Sequence, residues 1–377
     1  MHRILIRGNM KKLGFGTLRL PLRNPDDNSS IDQELLSRLV DEFMRAGYSY
    51  FETGYAYHLM GAEDALRIAL TERYPRESFI LADKMPTYNL DTVENLEKIF
   101  TEQVRRLQVT WFDYYLIHNL GESRYPKAEE LGVFDFIHRK KEEGLVRKIG
   151  FSFHGTPDLL EEILISHPEV DVVQLQINYL DWEHISIQSR RCYEIARGFG
   201  KPIIVMEPVK GGGLAAIPKE AEDLMRELRP DDSPASWALR FAAGLDGVIM
   251  VLSGMNTMEQ VRENTRTFDN LTSLSGREQA ILQEAARIIN RSIAAPCTAC
   301  RYCIDVCPQN IPIPVLISIF NDIKRYGDRS FPRVHYQHAV YDQGRAGDCI
   351  ACKECEQICP QHLPIQKILQ ELAEKFG

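Results

Sequence analysis

Long apolar runs are missing from this chain of 377 residues. No stretch approaches the roughly 18 apolar residues that a membrane-spanning helix requires, and the N-terminal MHRILIRGNM holds no signal-peptide core. Met10, which opens MKKLGFGT, is an alternative start. Positive charge is not in excess: 45 basic against 53 acidic residues leave a net charge of -8 and a pI near 5.8. That balance argues against nucleic acid as a partner and favours simple solubility. The ten histidines are scattered, without a metal-type cluster. Low-complexity tracts are absent, and the only repeat noted is a doubled cysteine motif, outside which Cys192 stands alone.

That motif takes the other eight of the nine cysteines. Its copies are Cys297-x-x-Cys300-x-x-Cys303-x-x-x-Cys307-Pro308 and Cys349-x-x-Cys352-x-x-Cys355-x-x-x-Cys359-Pro360. This is the spacing of paired 4Fe-4S clusters, in which three thiolates of one tight loop reach three irons and the fourth points to the other cluster. The two copies then interlock. One cluster takes Cys297, Cys300, Cys303 and Cys359, and the other takes Cys349, Cys352, Cys355 and Cys307. Zinc also uses C-x-x-C pairs, but it closes with four ligands and has no role for the third cysteine followed by Cys-Pro. Clusters this sensitive to oxygen, with a lone further thiol, point to a reducing compartment, the cytoplasm.

From residue 13 to about 252, short β-rich runs alternate with amphipathic helical segments. The runs are Leu13 to Thr17, Tyr50 to Thr53, Phe79 to Lys84, Asp113 to His118, Ile149 to Phe153, Val172 to Leu175, Ile203 to Met206 and Val248 to Leu252. Helical patterning covers Ile31 to Ala46, Glu94 to Leu107, Gly132 to Glu143, Asp158 to Ser166 and Ser186 to Phe199. Eight such alternations predict an α/β fold, a parallel (β/α)8 TIM barrel, with a doubly wound open sheet as the alternative. No G-x-G-x-x-G follows the first strand, which weakens that alternative. A last helix, Ser275 to Arg291, leads into the cysteines, so the expected domains are 1–290 and 291–377. The second is expected to be mostly helical, its apolar run Ile311 to Phe320 being of mixed strand or helix character.

Barrel enzymes carry their reactive groups at the C-terminal ends of strands. That rule selects Glu52 and nearby Tyr57 after the second strand, Lys84 at the end of the third and His118 at the end of the fourth. Here the residues match a family. Phe51-Glu52-Thr53-Gly54-Tyr55-Ala56-Tyr57, Ala82-Asp83-Lys84 and Tyr114-Tyr115-Leu116-Ile117-His118 resemble aldo-keto reductase motifs, over about Leu13 to Asn270. The bacterial subgroup with a fused ferredoxin-type domain is the nearest likeness, through Gly150-Phe151-Ser152-Phe153-His154 and Cys297-Thr298-Ala299-Cys300. The resemblance implies reduction of a small aldehyde or ketone by hydride from the reduced form of the cofactor, NADP or NAD, with Tyr57 as proton donor. A phenol protonates a developing alkoxide only if its pKa falls toward neutrality, which an adjacent ammonium achieves. Lys84 would do so, Glu52 would hold Lys84, and His118 would orient the carbonyl. Singly, each has a bland reading: rim aromatics for Tyr55 and Tyr57, a solvated strand-end lysine, a core histidine. The family has aspartate at Glu52 and alanine at Gly54; the extra methylene must be taken up by the backbone or by Lys84, and a misplacement of about 1 Å costs roughly a hundredfold.

The same resemblance implies a cofactor pocket. Thr17 lies at the end of the first strand, and Ser152 and Gln174 match residues that bind the nicotinamide carboxamide, while Phe153 replaces the usual asparagine. Asn178 matches a position near the pocket. Met206 stands where an aromatic often stacks, and Glu207 to Leu214, with Gly211 and Gly212, offers amides to the pyrophosphate. Ser253, Gly254, Gln260, Glu263 and Asn264 match segments that hold the adenosine end. Gly254 and Gln260 replace a lysine and an arginine that grip the 2′-phosphate in NADP-specific members, so Arg262 or Lys210 would have to substitute.

Hydride transfer moves two electrons and a cluster moves one, and no flavin site is recognisable to convert between them. The clusters would then serve a redox partner protein, the fold, or redox sensing. The competing reading makes the barrel a degenerate nicotinamide-binding module and the protein an electron-transfer or interaction subunit.

Overall fold

The structure, a computed structural model, describes residues 11–377 apart from 26, 88, 89, 91, 123, 185, 186, 292, 298–300, 328–331 and 360. Eight parallel strands close into a barrel in chain order: β1 Leu13–Gly16, β2 Tyr50–Glu52, β3 Ile80–Pro86, β4 Phe112–Leu120, β5 Val146–Phe153, β6 Val172–Gln176, β7 Ile203–Met206 and β8 Val248–Ser253. β1 pairs with both β2 and β8, so the sheet has no edge and the open-sheet alternative falls.

The barrel interior explains where the chemistry goes. Tyr50, Ala82, Leu116, Val172, Ile204, Met250 and Leu252 fill one buried cluster inside it. Side chains along a strand alternate faces, so the residue two positions on points the same way, one layer nearer the C-terminal end. That layer consists of Glu52, Lys84, His118, Gln174 and Met206, and the β5–β6 register aligns Ser152 with Gln174. Outside the sheet, helix Gln33–Arg45 is capped by Asp32, whose carboxylate accepts from the Leu35 N–H at 3.0 Å. Its buried stripe of Leu36, Leu39, Val40 and Phe43 packs inward, Phe43 edge-on to Phe15 and Phe51 at 5.6 and 5.5 Å. Each such side chain contributes about 1.5–3 kcal/mol by burial.

The chain groups into two compact units. One runs to Ile177 and adds Arg190–Pro208 and Leu239–Ser273, and so contains all eight strands. The other joins Asn178–Ser189, Val209–Ala238 and Leu274–Gly377. In the second, helix Gly276–Asn290 begins with a Ser275–Glu278 capping box and packs on helix Lys219–Leu228. The apolar run of mixed character is a helix, Ile313–Tyr326, whose start is set by Pro314 in its first turn. It shares a core with helix Ile365–Phe376, built from Ile313, Leu316, Ile317, Ile365, Ile368 and Leu369, against which the cysteines pack. No helix of the described residues is long and apolar enough to cross a membrane.

Candidate active site and metal centres

Glu52, Lys84 and His118 are buried at the barrel mouth and Tyr57 is half-buried beside them. Lys84 is the hub. Its Nζ contacts the Glu52 carboxylate, donates to the Thr53 carbonyl at 2.7 Å and lies 3.1 Å from the Tyr57 hydroxyl. Burial drives the Lys84 ammonium well below the ordinary lysine range. The Glu52 carboxylate opposes that and favours the charged form. The Tyr57 ring stands edge-on to His118 at 5.6 Å and directly over Gly54, where an added methyl would come within 3.1 Å of Cζ. The alanine of the resembling family would therefore press on this ring. Tyr55 faces elsewhere: its hydroxyl donates to Glu102 at 3.0 Å and Arg106 lies over its ring.

Behind the strand, Asp83 and Glu63 form a second buried set. Gln103 Nε2 donates to Glu63 at 3.1 Å and to the Lys84 carbonyl at 3.0 Å, which ties this set to the strand that presents Lys84. Burial pushes Glu63 up to about 7 despite Gln103 and Arg106, and burial with the neighbouring Glu63 carries Asp83 well above the usual carboxylate range.

The expected nicotinamide residues divide by availability. Gln174 is buried with Oε1 unpartnered among the described residues, and Ser152 Oγ accepts from the Asn119 N–H at 2.7 Å. Thr17 donates to Thr53 at 2.9 Å, and Met206 is half-buried at the end of β7. Asn264 donates to Ser253 at 3.1 Å; Gln260 Oε1 accepts from the Asn256 N–H at 2.8 Å; Glu263 is half-buried; Gly254 is exposed with Arg19 beside it. Asn178 spends its amide on a local turn, accepting from Leu180 and Asp181 and donating to Asp181 at 2.7 Å. Gly211 and Gly212 take φ of +65 and +97 in the loop Lys210–Ala215. Lys210, one of the two cations considered for the 2′-phosphate, is buried against Asp181 at 2.9 Å and Asp322 at 3.4 Å, so its charge is already answered. Arg262 is exposed and pairs with Glu42 at 2.9 Å.

The cysteines surround two cavities. Cys297, Cys303 and Cys359 line one with Arg301, Ile317 and Leu363, and its empty space is about 310 Å³ including open solvent. Cys307, Cys349, Cys352 and Cys355 line the other, of about 320 Å³, with Lys353, Ile311 and Leu369. Cys300 lies outside the described residues. Each cavity thus draws on both motif copies. Among the described residues, no three His, Cys, Asp or Glu side chains gather as around a single ion; the thiols ring a volume instead, as donors to a multi-iron cube do. The two halves also share backbone detail. Arg301 and Lys353 both have left-handed φ, +67 and +66, and so do Asn310 and His362, +50 and +49.

The profile of the aldo/keto reductase family matches residues 12–287. The chain belongs to the aldo/keto reductase family. A 4Fe-4S dicluster domain profile matches residues 296–363, so this aldo/keto reductase-family oxidoreductase carries a ferredoxin-type domain. An Escherichia coli protein named NADH-specific methylglyoxal reductase is 21% identical over 327 residues, 75% of this chain and 96% of its own. L-galactose dehydrogenase of Arabidopsis thaliana is 26% identical over 66% of this chain and 82% of its own. Among solved structures, an aldo-keto reductase from Bacillus halodurans in its holo form has a TM-score of 0.59 at 23% identity, covering 73% of this chain and 91% of its own. One from Klebsiella pneumoniae in complex with NADPH has a TM-score of 0.57 at 18% identity, covering 72% and 90%.

Two features of this aldo/keto reductase escape the motif reading. Asn119 follows His118 at a β-bulge with φ +61, is buried, and has Nδ2 unpartnered among the described residues. The signal was an asparagine at a strand end, the residue that best tolerates a left-handed conformation after glycine. The cysteine repeat also runs further than its thiols: Cys307-Pro-Gln-Asn-Ile-Pro-Ile313 parallels Cys359-Pro-Gln-His-Leu-Pro-Ile365. Ile313 lines the cavity of the second motif and Ile365 that of the first.

Proposed function

We propose that the protein reduces an aldehyde or ketone with NADPH or NADH, with Tyr57 as proton donor, and carries two 4Fe-4S clusters. The carrying observation is the Lys84–Tyr57 hydrogen bond at 3.1 Å, with Glu52 against Lys84. A bound reduced nicotinamide supplies the hydride. Lys84 lowers the cost of ionising Tyr57, the Tyr57 hydroxyl delivers its proton to the carbonyl oxygen, and His118 orients that oxygen. Four groups assembled for one proton transfer support the enzyme over a degenerate carrier subunit.

The unpartnered Gln174 Oε1 suits the NH₂ of a carboxamide, and the Asn119 Nδ2 suits its carbonyl, in the place of the donor lost at Phe153. Thr17, Met206, Gly211, Gly212, Ser253, Gly254, Gln260, Glu263 and Asn264 complete the dinucleotide set, and Arg262 is left as the cation for a 2′-phosphate. The cavity linings support Cys297, Cys303 and Cys359 as one ligand set, which Cys300 completes by its motif spacing, and Cys349, Cys352, Cys355 and Cys307 as the other. We divide the chain into a barrel domain, 1–290, and a ferredoxin-type domain, 291–377, and place it in the cytoplasm with a one-electron redox protein as partner. Steady-state assays with NADH and NADPH over an aldehyde and ketone panel test the reading. Tyr57→Phe is expected to abolish reduction while nicotinamide binding stays nearly intact; undiminished turnover overturns the assignment.

A further inference from the structure

The loop after β7 is held in place by the cysteine-bearing part of the chain. Lys210 takes φ +48, followed by Gly211 and Gly212 at +65 and +97. A lysine in the left-handed region persists only where its surroundings fix it. Here they do: the Lys210 ammonium is 8% exposed and lies 2.9 Å from Asp181 and 3.4 Å from Asp322. Burial works against that ammonium, but the two aspartates outweigh it and hold its pKa above the ordinary lysine value. One turn beyond Asp322, the Tyr326 ring packs on Gly213, where an added methyl would come within 3.0–3.1 Å of three ring carbons.

Asp322 and Tyr326 end the Ile313–Tyr326 helix, and the other end of that helix forms cluster-cavity wall. Ile313 lines one cavity with Cys307, Cys349, Cys352 and Cys355, and Ile317 lines the other with Cys297, Cys303 and Cys359. Between the ends, Asn321 exchanges two hydrogen bonds of 2.8 Å with the backbone of Ala295, two residues ahead of Cys297. A single 14-residue helix, about 20 Å long, therefore touches both cavities and the loop.

We propose that Asp322 and Tyr326 are positioning residues for the loop that binds the dinucleotide phosphates, so that cluster incorporation, by fixing this helix, tightens dinucleotide binding. The inference rests on the reading of Lys210–Ala215 as that loop. Lys210 then acts through the loop backbone, its charge being spent on the two aspartates, while the loop amides meet the phosphates. The coupling is reciprocal: a dinucleotide that favours the ordered loop must also favour the cluster-loaded domain.

The test uses anaerobically purified, iron-loaded protein titrated with NADPH and with NADH by fluorescence. Asp322→Asn and Tyr326→Leu are expected to keep the iron content and visible spectrum while weakening binding by about 5- to 50-fold, within the usual range of coupling between sites. In wild type, NADPH is expected to slow iron release to a chelator, and Asp322→Asn to remove that protection. Wild-type affinity in both iron-replete variants overturns the inference, as does tighter binding in Asp322→Asn, which would make Lys210 a direct phosphate ligand. Absence of chelator protection in the wild type overturns it independently of any variant. If the wild type binds neither dinucleotide, the phosphate-loop reading itself falls and takes this inference with it.

Discussion

Gly54→Ala offers the sharpest test of how Tyr57 is placed. The backbone of Gly54 is not in the left-handed region, so alanine can adopt it, and the consequence falls on the ring above. A methyl there would stand 3.1, 3.2 and 3.3 Å from three carbons of the Tyr57 ring. Comfortable carbon contacts begin near about 3.5 Å, so the ring must withdraw by roughly half an ångström. The Tyr57 hydroxyl is already 3.1 Å from Lys84 Nζ, close to the outer limit of a good hydrogen bond, and the same retreat breaks it. If a full ångström costs about a hundredfold in rate, half of that costs about tenfold in kcat. Stability should scarcely change, because mild overpacking of about 1 kcal/mol is offset by the similar gain from removing a glycine from the unfolded chain. The assay is kcat and KM with any carbonyl substrate the panel identifies, alongside nicotinamide affinity and Tm. The expected pattern is a tenfold loss in kcat with Tm and nicotinamide affinity held. Glu52→Asp/Gly54→Ala, which restores the pair usual in the resembling family, should recover more than the product of the single effects. The chain Glu52–Lys84–Tyr57–Gly54 couples those two positions through contact. Wild-type kcat in Gly54→Ala, or strictly multiplicative effects in the double variant, would refute the argument.

Other outcomes follow from the same geometry. Glu52→Asp alone should change kcat at least several-fold, upward if glutamate is a compromise and downward if the backbone has adapted to it; an unchanged rate removes Glu52 from the site. Glu63 is pushed up to about 7 from an ordinary 4.5, so its contribution is full below about 4.5 and is lost as pH rises through about 7. Tm should therefore fall between pH 5 and 8, by an amount on the order of 3 kcal/mol of stability, and Glu63→Gln should flatten that slope in thermal melts. Asn119→Leu, of similar size but without a donor, should weaken nicotinamide binding about tenfold and leave iron content alone. Anaerobic protein should hold about eight irons. Replacing Cys359 should damage the cluster held by Cys297, Cys300 and Cys303 and spare that of Cys349, Cys352 and Cys355, which iron analysis and spectroscopy distinguish; the opposite loss overturns the interlocked assignment.

The barrel was readable because its strands are short, apolar or aromatic and separated by amphipathic helical stretches, and their periodicity does not depend on distant partners. Ile203 to Met206 has the limits expected, and Glu94 to Leu107 likewise. β4 runs past His118 to Leu120 through a bulge, and an irregularity of one residue leaves no trace in a hydrophobic pattern; Asn119 was overlooked for that reason. The run from Ile311 stayed ambiguous because continuous apolar residues suit a buried strand or helix equally, and only the proline in the first turn and the packing on Ile365–Phe376 decide it. The pairing of Lys210 leaves no local trace, since Asp181 and Asp322 lie 29 and more residues away and on separate segments. Local pattern carries elements; pairings between remote charges it does not carry.

If the two motif copies exchange their fourth ligands as proposed, the fold of this ferredoxin-type domain depends on both at once. Cys359 lines the cavity of the first motif and Cys307 that of the second, so each cavity is closed only when both motif copies are folded against each other. Cys303 and Cys355 are part of the apolar core between them, and Cys297, Cys307, Cys349 and Cys359 pack on it. A domain of this size gains much of its stability from such cross-links, as small domains do from disulfides or metals. Loss of the cluster held by Cys297 and Cys303 would then be expected to free the Ile317 turn of the Ile313–Tyr326 helix while the Ile313 end stays on the other cavity. The far end of that helix holds Lys210 through Asp322 and Gly213 through Tyr326. On that proposal, clusters would influence a two-electron reaction without exchanging electrons with it, by fixing the loop after β7 through Asp322 and Tyr326.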